Sequence, residues 1–249
     1  IISLSLGLVL MPWANAAVTP QQQLLEQVRL GEASKREDLV RQSLYRLELM
    51  DPNNPDVIAA RMRYLLRQGD NEGAKKQFDR LSQLAPSSSA YQQSQVTMML
   101  STPEGRQQLQ QARLQATTGH TTEAIAAYQK LFNGNPPAGT LAVEYWTLMA
   151  KDPARRAQAI DQLKTLNSTN PGNVELHGNL ARLMFANGRS SEGFDVLEQM
   201  AKSNNGRKDA ANIWYDQIRN LPVSDASVAA LQRFLGTFSE GETVDTARA

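Results

Sequence analysis

Between residues 124 and 132 the apolar side chains Ala124, Ile125, Tyr128, Leu131 and Phe132 recur at i, i+1, i+4, i+7 and i+8. That spacing makes one face of an α-helix apolar and leaves the other to solvent. Gly119 stands five residues before the stripe, and Pro136 follows it. The same order returns at Gly69, Ala74, Phe78 and Pro86, and again at Gly188, Gly193, Leu197 and Asn205. Each run reads as the second half of a helix–turn–helix unit with a period of about 34 residues. The glycine permits a left-handed turn, and the small residue lets two helices approach closely. Proline, without an N–H, stops the second helix.

Counting outward from the prolines finds more copies. Pro52 lies one period before Pro86, which puts Val40, Leu44 and Leu47 where Ala74, Phe78 and Leu81 sit in the next unit. Before Pro171, Ala159, Leu163 and Leu166 take the same places, with Asp152, Pro153 and Ala154 as the turn. Units are expected near 21–54, 55–88, 105–138, 139–173 and 174–207. A degraded sixth begins at Arg207, contains Trp214, breaks at Leu221 and Pro222, and has a second helix over 227–238. One helix pair cannot bury its own apolar stripe, so neighbours must stack. The expected fold is therefore all-α, a right-handed solenoid of antiparallel helix pairs.

One segment breaks the register. Ser87, Ser88 and Ser89 open a helix that runs through Met98, Met99 and Leu100 to a stop at Thr102 and Pro103. The next glycine-to-proline signature arrives about sixteen residues late, so an extra unpaired helix is expected near 89–101. The chain then divides into a first repeat block at 17–88, an inserted helix at 89–104 and a second block at 105–249. The insert reads either as a plain spacer or as a hinge.

Composition narrows the class of molecule. No stretch alternates with a strand period, and the formal net charge is +1 with both signs interspersed. No basic block marks a nucleic-acid partner. Cysteine is absent, which removes disulfides and zinc–thiolate sites. Residues 1–10 are almost wholly apolar, and Ala14, Asn15 and Ala16 form a small-residue cleavage site before Ala17. Residues 1–16 thus read as a truncated signal peptide, too short for the roughly twenty apolar residues of a membrane span. The polar stretch Ser239, Glu240, Gly241, Glu242 lacks the character of a capping helix, so the array is expected to continue beyond Ala249.

Chemistry finds little foothold. His120 follows a turn glycine, and His177 sits in a first helix at a place that packs between helices; neither has an evident catalytic partner. No nucleophile elbow, phosphate-cradling loop or metal-ligand spacing occurs, so no catalytic, cofactor or metal residue is expected. Aligning the units puts Arg29, Arg63, Arg113 and Arg182 at one place in four first helices, with Arg67 one turn beyond Arg63. Such a ladder along a groove suits forked hydrogen bonds to the carboxylates of an extended partner. The alternative is a solvated face on which arginine is a good helix former paired with nearby acids. Tyr64, Tyr145, Trp146, Trp214 and Tyr215 are the rings that could face a sugar polymer: an exposed row favours such a polymer, and buried rings with an arginine-lined groove favour protein.

The units resemble tetratricopeptide repeats in Ala74-x3-Phe78 and Ala124-x3-Tyr128, each followed by proline, over nearly all of 21–240. The first-helix Trp and Tyr of that pattern are mostly replaced, and the first and fourth units lack the turn glycine. More narrowly, the run from Ala17 through Gln27, and Met50, Asp51, Pro52, Asn53, Asn54 and Pro55, are similar to the start of the bacterial cellulose synthase operon protein C family. The resemblance implies a periplasmic scaffold followed by an outer-membrane barrel through which glucan leaves the cell. No barrel segment is present in these residues. It implies protein subunits of a cellulose synthase complex as partners, peptidoglycan or glucan as further ones, and no catalytic residues. A generic periplasmic adaptor for envelope assembly and a direct glucan-binding groove are the competing expectations.

Overall fold

A computed structural model describes residues 18–249; the expected signal peptide lies outside the described residues. No strand occurs among them. The chain divides between Pro103 and Glu104 into two compact units.

The first unit holds α1 (Pro20–Ala33), α2 (Glu37–Met50), α3 (Pro55–Arg67), α4 (Asn71–Leu84) and α5 (Ser89–Ser101). Side-chain oxygens of Thr19, Asn54, Asp70 and Ser88 accept from the first free N–H groups of α1, α3, α4 and α5. Helices α1 and α2 pack antiparallel through Leu24, Val28, Val40, Leu44 and Leu47, and α3 closes over them with Val57 and Ala60. The inserted α5 sits on α3 and α4 in the same way. Ala90 joins Ile58, Ala59 and Leu81, and the Tyr91 ring stacks on Phe78 at 5.4 Å. No second helix pairs with α5 inside this unit.

The second unit contains nearly all of α6 (Pro103–Thr117), then α7 (Thr121–Leu131), α8 (Thr140–Met149), α9 (Arg156–Thr169), α10 (Val174–Ala186), α11 (Ser190–Ala201), α12 (Arg207–Ile218), α13 (Asp225–Thr237) and α14 (Glu242–Arg248). The interhelical turns bear out the glycine reading: Gly69, Gly119 and Gly188 have φ of 79°, 86° and 73°. One period before Gly69, Lys35 adopts the same left-handed backbone at φ 56°, so the first pair keeps the turn without its glycine. The fourth pair turns differently: the Asp152 carboxylate accepts from the Ala154 N–H at 3.0 Å.

Three details depart from the sequence reading. Helix α7 stops at Leu131, well before Pro136, because Asn133 and Gly134 enter the left-handed region at φ 50° and 72°. Phe132 therefore lies past the helix end, though it stays buried. The second helix of the sixth pair starts two residues early, under a Ser224–Ser227 capping box. The polar stretch around Gly241 leads into α14, whose Val244 is buried and which packs on α12.

Candidate functional site

The repeat brings arginines of first helices opposite carboxylates of the neighbouring pair. In the first unit Arg63, on α3, donates Nε and Nη2 to Glu32 of α1 at 2.9 and 3.1 Å. One turn on, Arg67 donates to Glu32 at 3.0 Å and to Glu37 of α2 at 2.7 Å. Burial of the Arg67 guanidinium works against its charge, but the bonds to Glu37 and Glu32 outweigh it and raise its pKa.

In the second unit Arg113, on α6, forks onto both oxygens of Glu144 of α8 at 2.8 Å each, and the Tyr128 hydroxyl of α7 donates to the same carboxylate. Burial pushes the Glu144 carboxyl up, yet the bonds from Arg113 and Tyr128 hold it below the ordinary carboxylate value. The Tyr128 phenol is driven well above its usual range, first by burial and then by donating to Glu144. Three helices are thus tied by one carboxylate.

Beside this knot runs a cavity of about 680 Å3, inside the second unit. Thr117, Thr140, Thr147, Lys151 and Asn179 line it along with Arg113 and Glu144. Thr140, Thr147 and Asn179 offer it hydroxyls and an amide, the kind that match peptide N–H and C=O groups, and Lys151 and Glu175 add one charge of each sign.

The expected arginine ladder is therefore mostly occupied. Arg63, Arg67 and Arg113 spend their forks on internal carboxylates. Arg29 meets Glu26 of its own helix at 3.3 Å on the surface. Arg182 is exposed and has no carboxylate among the described residues. Thirty-one residues on, where the offset from Arg113 to Glu144 would put its acceptor, stands the buried Ile213 of α12.

The candidate rings are interior. Tyr145, Trp146 and Trp214 are buried, Tyr64 leans on the first core, and Tyr215 meets Phe234 at 5.8 Å. Among the described aromatic side chains only Tyr45 stands largely exposed. His177 is a core residue, its Nδ1 2.8 Å from the Asn173 carbonyl oxygen, and His120 is an exposed residue beside Thr118. No group of three or more metal-ligating side chains occurs among the described residues, and none of their helices is long and apolar enough to cross a membrane.

Sequence reasoning placed the arginines but missed their acceptors. Glu32 and Glu144 each lie 31 residues from the arginine they bind, one period less one helical turn. A search for opposite charges at that offset finds both.

A solved structure, the flexible tandem repeat domain of a bacterial cellulose synthase component, superposes with a TM-score of 0.76 at 70% identity, covering 92% of this chain and 95% of that one. This chain belongs to the cellulose synthase operon protein C family. The cellulose synthase operon proteins C of Escherichia coli K12 and Salmonella typhimurium are 67% and 66% identical to it along its whole length. The chain spans about a fifth (21%) of the length of those relatives. No family model matches the chain. The family assignment and the stacked helix pairs agree on a tetratricopeptide-type array.

Proposed function

We propose that this array is a scaffold module of a bacterial cellulose secretion system, held in the periplasm, whose first-helix groove takes an extended segment of a protein subunit. Relatives named for the cellulose synthase operon supply the context. The observation that carries the choice of a protein over a glucan is the interior placement of Tyr145, Trp146 and Trp214. A sugar polymer is held by exposed ring faces, and the groove beside Glu144 offers in their place hydroxyls, an amide and the charges of Lys151 and Glu175. By resemblance, the full-length protein is anchored in the outer membrane by a barrel downstream of these residues. The reading assigns no catalysis to the module.

The groove can be filled without touching its staples. Thr147→Trp with Asn179→Trp in the full-length protein should block the cavity and lower extracellular cellulose, while circular dichroism of the 249-residue chain stays helical. Unchanged cellulose output and unchanged capture of synthase subunits by that variant would refute the groove reading.

A further inference from the structure

The outer face of α2, in the first unit, carries an unmet combination of charge and apolar surface. Val40, Leu44 and Leu47 turn α2 inward. The opposite stripe, Arg41, Gln42, Tyr45, Arg46, Leu49 and Met50, is exposed along its whole length. Tyr45, Leu49 and Met50 are 63%, 69% and 52% exposed, so three large apolar side chains share one helix face with water.

The unpaired charge on this face is all basic. Every acid of α1 and α2 already has a basic partner: Glu26 with Arg29, Glu32 with Arg63 and Arg67, Glu37 with Arg67, Asp38 with Arg36, Glu48 with Arg61. Lys35, Arg41 and Arg46 have no carboxylate partner among the described residues. The equivalent face of α4 is different. There Lys75 pairs with Asp79 at 2.6 Å and Lys76 with Glu72 at 3.2 Å. Arg80, one period after Arg46, donates to the Pro52 carbonyl oxygen and to Asn53 Oδ1 at 2.9 and 2.7 Å. Where α4 closes its own charges and anchors a neighbouring turn, α2 leaves the matching arginine unused.

Arg46, Leu49 and Met50 also form one wall of a slot of about 380 Å3 whose other wall is Gln23, Leu24 and Gln27 of α1. A bilayer surface is flat on this scale and does not enter a slot between two helices. A helix does. We propose that this face docks an acidic amphipathic helix of a partner protein, its apolar stripe over Leu49 and Met50 and its carboxylates on Arg41 and Arg46.

The probe is a fluorescein-labelled synthetic helix of roughly 18 residues with Leu at i, i+3, i+4 and i+7 and Glu on both flanks. Titrated into the 249-residue chain at low salt, it should bind saturably. Arg41→Glu with Arg46→Glu, or Leu49→Ala alone, should weaken binding by about ten-fold or more with helicity unchanged. Lys75→Glu with Lys76→Glu on α4 should leave it intact. No saturable binding, equal binding of a scrambled peptide of the same composition, or indifference to the α2 variants would each overturn the proposal. So would the alternative occupants. These are preferential co-sedimentation with phosphatidylglycerol vesicles that Leu49→Ala abolishes, a dimer lost in that variant, or a photo-crosslink from position 49 to residues 1–17. Groove variants at Thr147 and Asn179 should not alter this binding, which separates its failure from that of the groove.

Discussion

Glu144 is the place to test whether the array is held by charge as well as by its core. Its carboxylate accepts two bonds from Arg113 and one from Tyr128, joining α6, α7 and α8. The side chains of Glu144 and Arg113 keep 31% and 38% of their exposure, so water screens the pair. A fully buried pair broken on one side costs about 3–5 kcal/mol, and a fully exposed pair is worth about 0–1. A forked, half-exposed pair falls between them, with a coupling energy of about 1–2 kcal/mol. The assay is a double-mutant cycle of Arg113→Ala and Glu144→Ala, followed by urea unfolding, with Tyr128→Phe as a third corner. The expected single losses exceed the coupling, because each leaves the other ion half-buried and alone. A thermal melt should move by about 2–4 °C per kcal/mol for a unit of this size. Coupling below about 0.3 kcal/mol, or a melt that two-fold changes in salt move as much as the mutations do, would mean that the fork is a surface ornament.

Other expectations follow from single features. Arg189 and then Lys164 hold the Glu192 carboxyl at about 2, below its ordinary value of 4.5. Its folded pKa is depressed, so its stabilising contribution is complete above about pH 4.5 and disappears as pH falls through about 2. Glu192→Gln should flatten the pH dependence of stability across that window, read by urea melts at stepped pH; an unchanged slope would contradict the assignment. A methyl group at Gly193 would stand 2.8 Å from the Phe185 ring, whereas one at Gly236, inside α13, meets nothing within 4 Å. Gly193→Ala should therefore destabilise, and Gly236→Ala should stabilise by about 0.5–1 kcal/mol, in chemical denaturation. Leu44→Ala, at a fully buried position shared by three helices, should cost about 2–5 kcal/mol. Lys35→Gly should raise stability by up to about 1 kcal/mol by relieving the left-handed backbone at φ 56°.

The helices were legible because periodicity reports on burial, and burial here repeats. Ala74, Ala124 and Ala159 all sit at zero exposure, where counting from glycines and prolines put small residues. The end of α7 was not legible, since Asn133 reaches the left-handed region without being glycine and ends the helix before Pro136 can. Nor was α14, whose single buried anchor, Val244, is too short a pattern to signal amphipathicity. The arginine ladder was found as a row but not as a set of bonds. Spacing within one unit places a side chain on a face, while the acid that meets it comes from a neighbouring unit, the preceding one for Arg63 and the following one for Arg113, offset by a turn. Long-range pairing of this kind is invisible to any window shorter than the repeat.

The occupied ladder changes what the first-helix face can recognise. A free guanidinium attracts any carboxylate, at long range and with little selectivity. Once Arg63, Arg67 and Arg113 are closed onto Glu32, Glu37 and Glu144, they instead tie neighbouring helix pairs together, and the groove beside Arg113 presents threonines and an asparagine together with Lys151 and Glu175. Recognition there rests on shape and on short-ranged hydrogen bonds that fail when the partner is out of register, with Lys151 and Glu175 adding one charge of each sign. Unpaired basic charge for long-range attraction stands at Arg182 on α10 and at the Lys35, Arg41 and Arg46 cluster at α2. The two tasks separate in their salt dependence. Added salt should weaken capture at the α2 face steeply and capture in the groove only slightly, so an equal response of both would argue that charge governs the groove as well.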